Sequence, residues 1–246
     1  MRTLARIGIV ALCIAGLNSL PVSARATSSN AAKSLKLADI PQSYLMTAAG
    51  KLTTLRAGIT YRASKFPIAL RLKSPDRSWG GAQWESGTNY FRGGPPPNYG
   101  WVHIGQGASS PAPLGLVTIM TAYARTPSVA ATVNVLRTRG RGATYEATTQ
   151  VKLAGFSGLQ FNGQVVGAKN SDHTGHYFIP FSPRSSAARY YPDEYAVYGE
   201  AFRVIVLNVR GKTVVVIIEN VALPAEQFPA FLTKAQRLLK SLRFPS

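Results

Sequence analysis

The stretch Phe202-Arg-Val-Ile-Val-Leu-Asn-Val-Arg-Gly-Lys-Thr-Val-Val-Val-Ile-Ile-Glu219 contains two runs rich in β-branched residues on either side of Arg210-Gly211. Such runs favour β-strands, and the glycine supplies the positive φ that a tight hairpin needs. We therefore predict paired strands over 202–209 and 213–218. Because Val214–Ile218 is apolar at every position, both of its faces must be covered. The sequence thus predicts a sheet with helices packed on its faces, or at least over its centre.

A C-terminal helix is the next clear element. Apolar residues recur three and four positions apart at Phe228, Phe231, Leu232, Ala235, Leu238, Leu239 and Leu242. The other face and the last turn carry Lys234, Arg237, Lys240 and Arg243. One apolar stripe opposite a cationic face is typical of a docked helix, and cations at its C-terminal end favour the helix dipole. We predict a helix over about 226–243, with Phe231 and Leu239 buried against Val214–Ile218.

The upstream sequence predicts more strands and one more helix. Ile68, Leu70 and Leu72 alternate with Ala69, Arg71 and Lys73, which is typical of a strand with one wet face. Further strands are predicted over 83–85, 89–92, 99–105, 114–124, 148–153 and 159–166. We expect a hairpin connection over 154–158, and a helix that Ser128 caps and that ends near Thr138, before Gly140. The predicted class is α/β (α+β), a mostly antiparallel sheet with helices packed on its faces.

Several segments resemble one known family. They are Phe202–Glu219, Glu226-Gln-Phe-Pro-Ala-Phe-Leu232, Leu239-Lys-Ser-Leu-Arg-Phe244, Tyr61–Leu72 with Trp79, and Val151–Phe161. Together they resemble exported bacterial PsbP-like domain proteins, most specifically in the C-terminal hairpin and helix; many of those proteins have no assigned function. The resemblance implies a PsbP-like sandwich of α and β layers around an antiparallel sheet. It also implies a binding or accessory role more than catalysis.

The N-terminus predicts export. Arg2 and Arg6 precede the apolar run Ile7–Leu17, and small residues follow up to Ala26, which is the order of a signal peptide. The run is shorter than the roughly 20 residues of a membrane-spanning helix. We predict a signal peptide over 1–26, a polar tether or short helix over 27–53, and a single domain over 54–246 with a long surface insertion at about 169–195. The mature chain is expected to be secreted, periplasmic or attached to the cell envelope, with no transmembrane span; whether the signal is cleaved or kept as an anchor stays open.

The charge balance points to anionic partners. The chain has 28 Lys and Arg against 10 Asp and Glu, a net charge of +18, and losing Arg2, Arg6 and Arg25 with the signal leaves +15. The charged share is only 15% beside 46% hydrophobic residues, which excludes disorder through charge excess. Strong positive charge attracts polyanions over long distances. The alternative is that the charge serves only solubility.

Two sets of residues are candidates for binding such a partner. Arg71 and Lys73 lie on the polar side of the alternating strand, and Arg62 and Lys65 precede it closely, so these four cations are expected to share one face. Aromatic rings beside guanidinium groups stack on sugars and pair with acidic groups. The second set is therefore Trp84, Tyr90, Arg92 and Tyr99, whereas Trp79 and Trp101 are expected in the core. A further cluster, Arg137, Arg139 and Arg141, is explained by the end of a helix.

A metal site is the weaker hypothesis. Asp172, His173 and His176 are ligand types that zinc accepts, and a third strong ligand would have to come from Asp193, Glu194 or His103. Ser157 lacks the second glycine of a nucleophile elbow. We therefore predict a non-enzymatic binding or accessory domain without a cofactor, engaging an anionic cell-envelope polymer, an anionic lipid surface or a protein partner, with no specific nucleic acid expected. The alternative is a hydrolase or metal-dependent enzyme that uses the 172–194 loop.

Overall fold

A computed structural model describes residues 37–41, 52–84, 99–107, 114–122, 126–139, 142–166, 176–178, 194–196, 199–221 and 223–246, all within one compact unit, Lys36–Ser246. The strands in chain order are β1 (Ala38–Asp39), β2 (Thr53–Thr54), β3 (Thr60–Arg62), β4 (Arg71–Lys73), β5 (Trp79–Trp84), β6 (Tyr99–Gln106), β7 (Gly115–Ala122), β8 (Ala143–Tyr145), β9 (Thr149–Leu153), β10 (Phe156–Val165), β11 (His176–Phe178), β12 (Glu194–Ala196), β13 (Ala201–Val209) and β14 (Lys212–Glu219). The helices are α1 (Val129–Arg139) and α2 (Phe228–Leu239), with a 3₁₀ turn at Ala225–Gln227 before α2.

The main sheet has the strand order β2-β5-β6-β7-β14-β13-β10-β8, and β9 pairs with β10 beside it. Every strand pair recorded in this sheet is antiparallel. A small sheet, β1-β3-β4, and a two-stranded pair, β11-β12, are separate from it. The prediction of a mostly antiparallel sheet is confirmed.

The hairpin of β13 and β14 forms as its sequence predicts. Val209 pairs with Lys212, so the connection is Arg210-Gly211 alone, with φ of 52° and 81°. Two successive positive φ values are the geometry of a two-residue hairpin turn whose twist matches the strands. Gly211 takes this conformation without strain, and Asn208 stabilises it, because its side-chain oxygen accepts a hydrogen bond of 2.9 Å from the Gly211 amide.

The apolar strand β14 contributes to two buried clusters. Val214, Val216 and Ile218 share one cluster with residues of α2 that include Phe231 and Leu239. The alternate residues of β14, Val215 and Ile217, share the other cluster with Val133 and Leu136 of α1. Successive side chains of a strand point to opposite faces, so the apolar run contributes to one buried cluster on each face. The predicted burial of Phe231 and Leu239 is confirmed, since they are 2% and 3% exposed.

Helix α1 begins at the predicted cap, whereas helix α2 ends before its predicted last residue. At the start of α1 the hydroxyl of Ser128 accepts a hydrogen bond of 3.2 Å from the Ala131 amide, as a capping residue does. The prediction that the C-terminal helix continues to residue 243 is wrong, because α2 ends at Leu239. Beyond it, the Ser241 hydroxyl accepts a hydrogen bond from the Lys73 amide at 2.9 Å, and Arg243 pairs with Arg71. The residues after Leu239, here called the tail, therefore bond to the small sheet and do not continue the helix.

The small sheet draws on residues that the sequence assigned elsewhere. β1 lies within the predicted tether 27–53, yet it pairs in parallel with β3, and Ile40 directly after it is 1% exposed. Burial of this isoleucine explains why the segment joins the domain. On the strand predicted from the 68–73 alternation, the paired residues are Arg71–Lys73, and Leu72 is buried between two exposed cations.

Other predictions differ in detail or lie outside the described residues. The connection between β9 and β10 is only Ala154-Gly155, with φ of 52° and 88°, so the loop predicted over 154–158 is too long. The strand predicted at 89–92 lies outside the described residues, as does most of the insertion at 169–195, where β11 pairs with β12. Within the described ranges, no helix is long and apolar enough to cross a membrane.

Candidate anion-binding face

The outer face of the small sheet carries the candidate site. Strand alternation buries Tyr61 and Leu72 and exposes Arg62, Arg71 and Lys73. The residues pair across the hairpin as Arg62 with Arg71 and Thr60 with Lys73, so all three cations lie on one side of it. The structure therefore brings together three of the four cations that the sequence predicts to share a face.

A fourth cation joins them from the end of the chain. The backbones of Arg71 and Arg243 exchange two hydrogen bonds, both of 2.9 Å, which makes Arg243 the neighbour of Arg71 on the side away from Arg62. The three arginines form an arginine row (Arg62, Arg71, Arg243) that crosses two strand spacings of about 4.8 Å each. With Lys73 they form the basic face.

The arginine row is not explained by sheet stability. Arg62 and Arg71 are direct cross-strand neighbours, as are Arg71 and Arg243. Like charges that face each other across a strand pair are destabilising. A ligand that supplies negative charge would relieve this repulsion.

Two arginines of the row already have partners. The Arg62 Nε donates a hydrogen bond of 2.7 Å to Asp39 Oδ1, and its Nη2 donates one of 3.3 Å to Oδ2. This hydrogen bond lowers the pKa of Asp39 and raises that of Arg62. The Arg243 Nη1 donates to the carbonyl oxygens of Lys240 at 2.8 Å and Leu242 at 2.7 Å, just beyond the end of α2. Arg243 thus stabilises the tail that brings it into the row.

The other two cations of the basic face have no such role. Arg71 and Lys73 are exposed, and no side chain among the described residues forms a hydrogen bond or ion pair with their charged groups. An exposed cationic side chain without a hydrogen bond or ion pair to a described residue is available for a ligand. Arg71, in the middle of the row, is therefore the residue on which a binding role depends most directly.

Of the remaining predicted binding residues, the structure describes only Lys65 in full. Lys65 belongs to the connection between β3 and β4, where its amide donates a hydrogen bond of 3.0 Å to Gln83 Oε1, so its backbone lies against the main sheet and not in the row. Trp84 ends β5 and Tyr99 begins β6, but their side chains lie outside what the structure describes, as do Tyr90 and Arg92 entirely. The aromatic part of the hypothesis stays a prediction.

The two core tryptophans and Arg137 of the second arginine cluster have structural roles. Trp79 and Trp101 are buried, as predicted. Arg137 donates a hydrogen bond of 2.5 Å to Thr148 Oγ1, and its guanidinium carbon lies 5.4 Å from the ring centre of Tyr145. Arg137 is thus fixed by its neighbours, whereas the side chain of Arg139 and the whole of Arg141 lie outside the described residues.

The metal hypothesis falls mainly outside the described part of the chain. Asp172 and His173 are not described, and only the backbone of His176 is, in β11. His103 lies in β6 of the main sheet and is nearly buried. Within the described ranges, no group of three or more His, Cys, Asp or Glu side chains is arranged to hold a metal ion. The metal-dependent alternative stays a prediction.

Sequence reasoning missed Arg243 as a member of the basic face. The apolar stripe of the helix continues through Leu242, which assigned Arg243 to a last helical turn. The contrary signal is Leu242-Arg243-Phe244, in which the two apolar residues flank a cation with the period of a strand. Leu242 and Phe244 are both buried and Arg243 is exposed, as that period requires.

Comparison with known proteins gives structural similarity but no sequence match. No protein-family model matches the sequence, and no curated protein matches it. Among solved structures, the chain is similar to the solution structure of cyanobacterial PsbP (CyanoP) from Synechocystis sp. PCC 6803, with a TM-score of 0.42 and 11% identity. The match covers 78% of this chain and 95% of that chain. The basic face therefore has to be interpreted from its own geometry and charge.

Proposed function

We propose that this protein is a non-enzymatic binding or accessory domain whose basic face engages an anionic polymer of the cell envelope. The observation that carries the proposal is the arginine row, in which three exposed arginines are direct cross-strand neighbours although like charges in such pairs destabilise a sheet. Guanidinium groups bind carboxylate and phosphate through paired hydrogen bonds, and a repeating polyanion presents such groups in series.

The make-up of the face favours a hydrophilic polymer over a lipid surface. Its outward residues are Asp39, Thr60, Arg62, Arg71, Lys73 and Arg243, all of them polar. Proteins that lie on membranes add apolar or aromatic side chains that enter the headgroup region. The large apolar residues exposed among those described are Ile59, Leu114 and Val166, and none of them is in the arginine row.

We propose further that α1, α2 and the small sheet are the covering layers of a PsbP-like sandwich and that the chain is exported. The layers are supported by the two apolar clusters, which place α1 and α2 with alternate residues of β14. Export is supported by the charged start and apolar run of residues 1–26. In that setting a strongly basic domain would meet the anionic polymers of the envelope.

The test measures binding of the mature chain to polygalacturonate and to inorganic polyphosphate by calorimetry over a range of salt concentrations. The variants Arg71→Gln and Lys73→Gln should each weaken binding roughly threefold to tenfold, and together more. Lys152→Gln is the matched control, because Lys152 is an exposed cation of β9 that lies outside the basic face. Raising the salt concentration should mimic the mutations.

Four results would contradict the proposal. They are equal weakening by Lys152→Gln and Arg71→Gln, binding that ignores salt, binding to neither polymers nor vesicles, and binding to phosphatidylglycerol vesicles without binding to either polymer. Equal weakening by the two variants would mean that the positive charge attracts polymers without a specific binding face. The last would assign the face to a lipid surface. Binding to neither polymers nor vesicles would leave a protein partner or solubility as the role of the charge.

A further inference from the structure

The basic face has an acidic residue at one end. Asp39 of β1 is the parallel-strand neighbour of Arg62, and it is the one carboxylate among the outward residues of the described small sheet. Its two oxygens accept hydrogen bonds from the Nε and Nη2 of Arg62. This is the geometry in which an arginine binds a carboxylate ligand.

We infer that Asp39 is an internal competitor for the anion-binding face. Its carboxylate occupies the guanidinium of Arg62, and its negative charge repels an incoming polyanion. A ligand therefore enters at the other end of the row, over Arg71, Lys73 and Arg243. The inference rests on the proposed function and adds to it a residue that limits the affinity and sets where the ligand binds.

The ion pair is not needed to hold β1 in place. The Ile40 amide donates a hydrogen bond of 2.8 Å to the Arg62 carbonyl, and Gln83 Nε2 donates one of 2.5 Å to the Ile40 carbonyl. Ile40 itself is buried in the core. Backbone bonds and apolar burial thus fix the strand, while the Asp39 and Arg62 side chains remain about half exposed, at 47% and 52%. The carboxylate can be removed without removing the strand.

The contact also indicates the chemistry of the ligand. The carboxylate of Asp39 already accepts two hydrogen bonds from the Arg62 guanidinium, and a pair of phosphate oxygens can accept the same two bonds. The ligand class is a polymer with closely repeated carboxylate or phosphate groups. The two probes, polygalacturonate and inorganic polyphosphate, separate these two sources of negative charge.

The experiment compares Asp39→Asn with the wild-type mature chain in the calorimetric binding assay. Loss of the competing carboxylate should tighten binding about threefold or more to at least one probe. The matched control is Glu226→Gln, which removes an exposed acid just before α2 and should change affinity less than twofold. Asp39→Ser should reproduce the gain, and thermal unfolding confirms that each variant is folded.

A second pair of variants tests whether the gain acts through Arg62. Arg62→Gln alone should weaken binding less than Arg71→Gln does, because Arg62 is already occupied. In the Asp39→Asn background, Arg62→Gln should abolish most of the gain. If Arg71→Gln weakens binding but neither Asp39 variant tightens it, the competitor is disproved and the proposed function stands. If the wild type and Asp39→Asn bind neither probe, both are disproved.

Discussion

Arg71 and Arg137 each belong to a cluster of cations visible in the sequence, and their surroundings are opposite. Arg137 donates a hydrogen bond to Thr148 and lies over the rings of Tyr145 and Phe161. Arg71 lies between two other arginines, and its side chain forms no hydrogen bond or ion pair with a described residue. Because the guanidinium of Arg137 has a hydrogen-bond partner and two ring contacts within the domain, its role is to stabilise the fold. An arginine placed beside two others has no such stabilising contact, and our proposal assigns it to a ligand.

The largest expected effect concerns the core that supports both regions. Phe231→Ala should lower the free energy of unfolding by about 3–5 kcal/mol, because the ring is buried with Trp79 and β14, and its loss leaves a cavity. Denaturant titration measures this loss. Leu239→Ala should cost about 2–5 kcal/mol by the same mechanism. A loss under about 0.5 kcal/mol for either variant would show that α2 is not docked as described.

The comparison itself is sharpened by Arg137→Gln. Loss of the bond to Thr148 and of the ring contacts should lower the free energy of unfolding by about 1–2 kcal/mol. Affinity for polygalacturonate and polyphosphate should stay within about twofold of the wild type, apart from the general loss of one charge. A strong loss of affinity with unchanged stability would reverse the roles assigned to the two arginines.

Arg71→Gln should show the opposite pattern. Removing the middle charge relieves two repulsive cross-strand contacts, so the melting temperature should stay unchanged or rise slightly while polyanion binding weakens. Calorimetric unfolding in the absence of ligand measures the first effect. A clear drop in melting temperature would mean that Arg71 has a structural role.

The smallest expected effect is the pH dependence of the pair at the end of the row. The hydrogen bond from Arg62 lowers the pKa of Asp39, so the carboxylate stabilises the folded state above its unfolded pKa, and this contribution is lost as the pH falls through the lower folded pKa. Carboxyl resonances in an NMR titration report this pKa. Arg62→Gln should raise it toward the ordinary value of about 4. An unchanged Asp39 titration in this variant would contradict the ion pair.

Local patterns in the sequence predict much of this fold. The Arg210-Gly211 turn, the two-sided burial of β14 and the Ser128 cap each follow from a short stretch of residues and the geometry of one element. The errors occur where distant segments meet. Parallel pairing of β1 with β3 depends on contacts that no local pattern contains. The early end of α2 has one local signal, the alternation in Leu242-Arg243-Phe244, but the helical stripe through Leu242 competes with it.

In the candidate site, too, some residues are predicted by a local pattern and others depend on contacts between distant segments. Alternation along one strand predicts that Arg71 and Lys73 share an exposed face, and the hairpin adds Arg62. Arg243 and Asp39 reach this face from opposite ends of the domain, through pairings that only the folded chain creates. The backbone of Lys65 does not continue the strand, because its amide donates a hydrogen bond to Gln83 of the main sheet directly after β3.

The pairing of Arg243 with Arg71 also has a consequence for self-association. Without the tail, β4 would present a row of open amide and carbonyl groups at the edge of a sheet, and such edges recruit strands from other molecules. In this chain the last residues cover that edge, and the Ser241 hydroxyl bonds to both the amide and the carbonyl of Lys73. The same segment that completes the basic face therefore also covers an edge at which other molecules could pair. A chain shortened at Lys240 should lose the Arg243 cation and expose the edge of β4 at the same time.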